Sequence, residues 1–100
     1  MSETFDQEKI MAGREWAEAE MRTQAIERAV KLHLLNWTEI VDSMVWIATL
    51  HSPAGEHTIA LSYAALAKCV DSEGERIILR ERLHHLIGDL ARIERRGSLR

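Results

Sequence analysis

Leu79, Leu83, Leu86, Leu90 and Ile93 return at intervals of four, three, four and three residues, and Ile87 widens the stripe. That spacing puts all six side chains on one face of an α-helix and demands an apolar surface for the face to cover. The helix has a defined start, because Ser72-Glu73-Gly74-Glu75 matches the S-x-x-E capping box, in which hydroxyl and carboxylate each satisfy an orphan backbone N–H. Its end is marked too. Arg92, Arg95 and Arg96 gather in the last turn, where cations suit the helix dipole, and Gly97 stands where a left-handed cap is expected.

The rest of the chain must supply the other side of that core. Ser62 suits the N-cap of a short helix over residues 63–70, whose Leu66 and neighbouring alanines favour close packing. Further upstream, Asn36-Trp37-Thr38-Glu39 resembles a capping box with Asn in place of Ser or Thr. It opens the most apolar stretch of the chain, Trp37, Ile40, Val41, Met44, Val45, Ile47 and Ala48, with only Thr38, Asp42 and Thr49 as a polar strip. Read at helical period this predicts a helix over 37–50, covered on most sides and placing Met44 in the core. Pro53 ends it, and residues 54–61 follow as a loop or short extended piece around Thr58-Ile59. Before Asn36, Ile10, Ala17, Met21, Ala25 and Leu32 recur at 7, 4, 4 and 7, predicting a first helix that reaches residue 35. Gly13 costs that helix about 1 kcal/mol relative to alanine, so residues 1–12 read as a loosely packed arm. The expectation is an all-α fold: one domain spanning residues 1–100, a bundle of four helices with 37–50 at its centre.

One hundred residues allow one core and no second domain. At 46% apolar and 29% charged the chain is too hydrophobic for a disordered tail. A formal charge of −3 gives no general attraction for nucleic acid, although the charge is polarised: residues 1–50 hold five Lys/Arg against nine Asp/Glu, residues 51–100 eight against seven. With Cys69 the only cysteine, no internal disulfide forms, and the N-terminal residues have no signal-peptide pattern, so a cytoplasmic protein is expected. No apolar run approaches a membrane span, and no membrane association is expected.

Motifs for chemistry are missing. His33, His51, His57, His84 and His85 lack the i, i+4 pairing or short Cys/His spacing that presents two ligands together, so no metal is expected. Cys69 lies on the apolar side of a short helix and reads as a packed thiol. There is no G-x-S-x-G elbow and no glycine-rich phosphate loop. Neither catalysis, nor a cofactor, nor a small-molecule substrate is expected. What remains is surface. Glu8, Glu15 and Glu18 share one sector of the first helix, an acidic ridge that suits a basic partner, though Glu18 also stands four residues before Arg22 in the favourable ion-pair order. Trp46 falls outside the apolar face of the 37–50 helix, which makes it a candidate exposed anchor. Arg92, Arg95 and Arg96 are the basic cluster a nucleic acid would use. Residues 61–67 with the leucine helix suggest a helix-turn-helix, and a small DNA-binding regulator is the alternative function. Against it, the turn is too long, and Glu73, Glu75 and Glu81 would face phosphates.

A chain of this length, helical, mildly acidic, and without an active site or familiar domain motif, resembles the small proteins with which bacteriophages and mobile elements disable host machinery. In particular it looks like the sixth group of type I-F anti-CRISPR proteins. That resemblance implies an inhibitor that binds the host RNA-guided type I-F CRISPR surveillance complex, near its large subunit and the adjacent backbone subunit, and keeps target DNA from being engaged. It implies no direct DNA binding. The small net charge favours occlusion by shape over mimicry of a phosphate backbone.

Overall fold

In the computed structural model, which describes residues 6–53 and 55–98 with side chains through Glu94, residues 34–62 form a three-stranded antiparallel sheet. The all-α expectation is therefore overturned. The order is α1 (Gln7–Glu27), β1 (Leu34–Ile40), a 3-10 turn (Val41–Ser43), β2 (Val45–Ser52), β3 (Gly55–Ser62), α2 (Tyr63–Asp71) and α3 (Glu73–Ser98). The sheet runs β1-β2-β3, with Trp37 opposite Ala48 and Ala48 opposite Ile59.

The stretch read as a central helix is two strands and the turn between them. Its apolar residues satisfy a period of two as well as one of 3.6. Leu35 and Trp37 on β1, Trp46, Ala48 and Leu50 on β2, and Ile59 and Leu61 on β3 line up on one face and join the helices in a single core. Thr38, Val45, Ile47 and Thr49 take the opposite face, and these β-branched side chains suit a pleated surface better than a helix. The turn escapes a sequence reading because it carries no glycine, proline or asparagine. Val41, Asp42 and Ser43 make one 3-10 turn, and Met44 closes it with φ 54, donating its N–H to the Val41 carbonyl at 3.0 Å. A left-handed methionine is strained by roughly 1 kcal/mol or more. Met44, expected in the core, is 50% exposed. Substituting Met44→Gly is expected to raise stability by about 0.5 to 1 kcal/mol, since glycine relieves the strain and loses little packing there; urea denaturation checks it.

The three helices follow the sequence more closely. Asp6 caps α1, accepting from the N–H groups of Glu8 at 2.9 Å and Lys9 at 3.4 Å. Ser62 caps α2 through the Ala65 N–H at 3.1 Å, and Ser72 caps α3 through that of Glu75 at 3.3 Å. Residues 7–12, expected in a loose arm, are the first turns of α1, and Ile10 is fully buried. Residues 1–5 lie outside the described residues. The helix ends at Glu27, short of residue 35, where Ala29 turns left-handed at φ 58. Gly97 lies inside α3 rather than capping it.

Gly13 holds α1 and α2 together. A Cβ there would stand 2.1 Å from the Leu66 carbonyl oxygen and 2.7 Å from its carbon, so only glycine lets the backbones approach this closely. Leu79, Leu83, Ile87 and Leu90 of α3 complete the core beside Met21 of α1 and Leu66 of α2. Arg80 pairs with Glu20 at 3.0 Å and lies over Trp16, tying α3 to α1.

Candidate partner interface

All the helices cover one face of the sheet, and among the described residues nothing covers the other. That open face presents Leu34, Asn36, Thr38 and Ile40 from β1, Val45, Ile47, Thr49 and His51 from β2, and Glu56, Thr58, Ala60 and Ser62 from β3. At its β1–β2 end it runs into the turn, where Val41 is 65% exposed beside the half-exposed Met44 and Ile40. An apolar hairpin tip with a left-handed methionine stands beside the open sheet face, one of the exposed hydrophobic features of the described fold alongside Ile26 on α1 and Ile77 and Ile78 on α3. Contiguous apolar surface of this kind marks interaction sites.

The acidic ridge lies on α1 next to the sheet's β1 edge. Glu15 is exposed and has no partner among the described residues. Glu18 is engaged twice: its Oε1 accepts the Trp37 indole N–H at 2.9 Å, and its Oε2 stands 3.5 Å from Arg22. With Arg14, Ala19, Arg22 and Trp37 the two glutamates line a notch of about 240 Å³ between α1 and β1. Glu8, in the first turn of α1, is exposed but does not line the notch.

Trp46, expected as an exposed anchor, faces the helices. It is part-buried against the core, its Nε1 is buried, and the Arg14 guanidinium lies 4.2 Å above its ring and 5.2 Å from that of Trp37. The exposed apolar side chains at this end of the sheet are Ile40, Val41 and Met44, which the helical reading places on a buried element. The alternation Thr38, Ile40 and then Val45, Ile47, Thr49 is the signal for the open face and for Ile40; Val41 and Met44 lie in the turn and follow no alternation.

Arg92 is exposed and pairs with Asp89, one turn earlier on α3. Arg95 and Arg96 belong to the last turns of the same helix, and their side chains lie outside the described residues. α2 and α3 are joined by Ser72 alone, not by the three- or four-residue turn of a helix-turn-helix.

Three groups have shifted acidities, none of them in a reactive constellation. The Asp71 carboxylate, hydrogen-bonded beside it, pushes the Lys9 ammonium up. Cys69 is buried, and burial pushes its thiol up, with Arg76 opposing. The Tyr63 hydroxyl donates to Glu39, and that bond, with burial and the carboxylate's charge, pushes the phenol up to about 12. Because the folded value lies above the ordinary 10, the stability this contact adds is complete below pH 10 and is lost as pH rises through about 12. Tyr63 is the chain's only tyrosine, so an ultraviolet titration reads it alone. The midpoint is expected near 12 in the native protein, and Glu39→Ala is expected to bring it back toward 10.

Among the described residues no three His, Cys, Asp or Glu side chains are placed to hold a metal ion, and no helix is long and apolar enough to cross a membrane. Compared with protein-family models, with curated proteins and with solved structures, the chain matches none.

Proposed function

We propose that the protein is a non-enzymatic inhibitor that binds the host type I-F CRISPR surveillance complex in the bacterial cytoplasm, near its large subunit and adjacent backbone subunit, and so blocks engagement of target DNA. The observation that carries the binding part of this reading is the apolar tip of Ile40, Val41 and Met44, continuous with the open face of the sheet. Buried anchors of this kind supply most of the affinity of protein interfaces, while neighbouring charge sets the rate of encounter. Glu15 and Glu8 supply that charge. The choice of partner rests on the resemblance in length, charge and lack of active-site motifs. The short α2–α3 junction and the acidic start of α3 weigh against a DNA-binding regulator.

Gel filtration of the protein mixed with purified surveillance complex tests the proposal. Stoichiometric co-elution is the expected result. Separate elution, with the isolated chain instead binding duplex DNA in a salt-sensitive way, would transfer the function to the regulator and its site to Arg92.

A further inference from the structure

We infer that the open edge of β1 receives an extended segment of a partner protein, which adds a fourth strand to the sheet and drops an arginine or lysine side chain into the notch beside Glu15. The inference rests on the function proposed above and names how part of that partner is held.

The backbone pattern identifies the free edge. The Tyr63 N–H donates to the Met44 carbonyl at 2.9 Å, in step with the register that pairs Trp46 with Leu61. Bonding alternates along an antiparallel ladder, so the even residues of β2 bond to β3 and its odd residues bond to β1. The β1 partners of those odd residues are Leu34, Asn36, Thr38 and Ile40. The N–H and C=O groups of Leu35, Trp37 and Glu39 therefore point away from the sheet. The opposite edge is partly engaged, since the outward carbonyl of Ala60 accepts from Arg82 of α3 at 3.1 Å. β1 has no such cover among the described residues, and its register holds neither a bulge nor a lysine, arginine or proline, the usual devices that protect an edge.

Charge selects the occupant. An added strand bonded to Leu35, Trp37 and Glu39 turns the side chains opposite them toward the helix side of the sheet, where the notch opens. Within the notch Arg22 is offset by Glu18, and the Arg14 guanidinium, without a carboxylate partner among the described residues, lies against the two indole rings, so the exposed carboxylate left without a cation is that of Glu15. A partner guanidinium or ammonium pairs with that carboxylate. A second copy of this chain fits worse, because two β1 strands meeting edge to edge would bring Leu35, Trp37 and Glu39 to the same place, adding a carboxylate and no cation.

The test compares Glu39→Pro with Glu39→Ala in affinity for the purified surveillance complex. Both variants lose the bond to Tyr63, and only the proline removes the outward N–H, which is no part of the β1–β2 ladder. The proline variant is expected to bind about tenfold or more weakly than the alanine variant, with similar thermal unfolding. Equal affinities would overturn the strand addition while leaving the inhibitor reading in place. A wild-type chain that does not bind the complex overturns both, and concentration-dependent dimers of the free protein would give the edge to a second copy. Should the proline variant fail to fold, amide exchange of the wild-type chain decides the same point. Slowed exchange at Leu35, Trp37 and Glu39 in the complex supports the added strand, and unchanged exchange rejects it.

Discussion

Replacing Gly13 with alanine is expected to cost about 3 kcal/mol or more, enough to unfold much of the protein at ordinary temperature. Helix propensity alone gives the opposite sign, because alanine in a helix interior is favoured over glycine by about 1 kcal/mol. The two effects differ in what they meet. A methyl group on Gly13 stands 2.1 Å from the Leu66 carbonyl oxygen, a backbone atom that cannot rotate away as a side chain would. α1 must then lift off α2, and the contacts of Ile10 and Ala17 loosen with it. Circular dichroism during thermal unfolding reads the result. A variant as stable as the parent would mean the crossing is looser than described.

The second large effect is on binding. The double substitution Val41→Asp with Met44→Asp is expected to weaken association with the surveillance complex about a hundredfold or more, since it places two charges on the apolar tip that the proposed interface buries. The fold should tolerate it. Val41 is 65% exposed and Met44 50% exposed, and aspartate adopts the left-handed conformation of residue 44 more readily than methionine does. Binding lost with unfolding unchanged separates this tip from the core. Glu15→Lys, at an exposed and unpaired position, is expected to slow association with little change in stability. Glu18→Lys is not an equivalent probe, because it also removes the acceptor of the Trp37 indole.

The elements legible in the sequence are those whose signals are local. Ser62 and Ser72 announce α2 and α3 through hydroxyls that cap within three residues, and the leucine stripe of α3 admits only one period. The sheet is illegible for a different reason. Residues 37–48 are apolar on so many positions that helix and strand periods both fit, and the β1–β2 turn uses Met44 where a turn reading expects glycine or asparagine. Strand pairing is also non-local in what reveals it: the alternation of Trp46, Ala48 and Leu50 gains meaning only when Leu35, Trp37, Ile59 and Leu61 are set beside it. The candidate interface inherits that division. Glu15 and Glu18 are legible as a helical ridge, whereas Val41, Met44 and the open face depend on a sheet that periodicity does not reveal.

Titration of target DNA against the purified surveillance complex, with and without one equivalent of this protein, tests the proposed inhibition most directly. The expected result is that the wild-type chain abolishes DNA binding and the Val41→Asp, Met44→Asp variant restores it. Undiminished DNA binding in the presence of the wild-type chain, or equal inhibition by the variant, would contradict an inhibitor that acts through its hairpin tip and open sheet face.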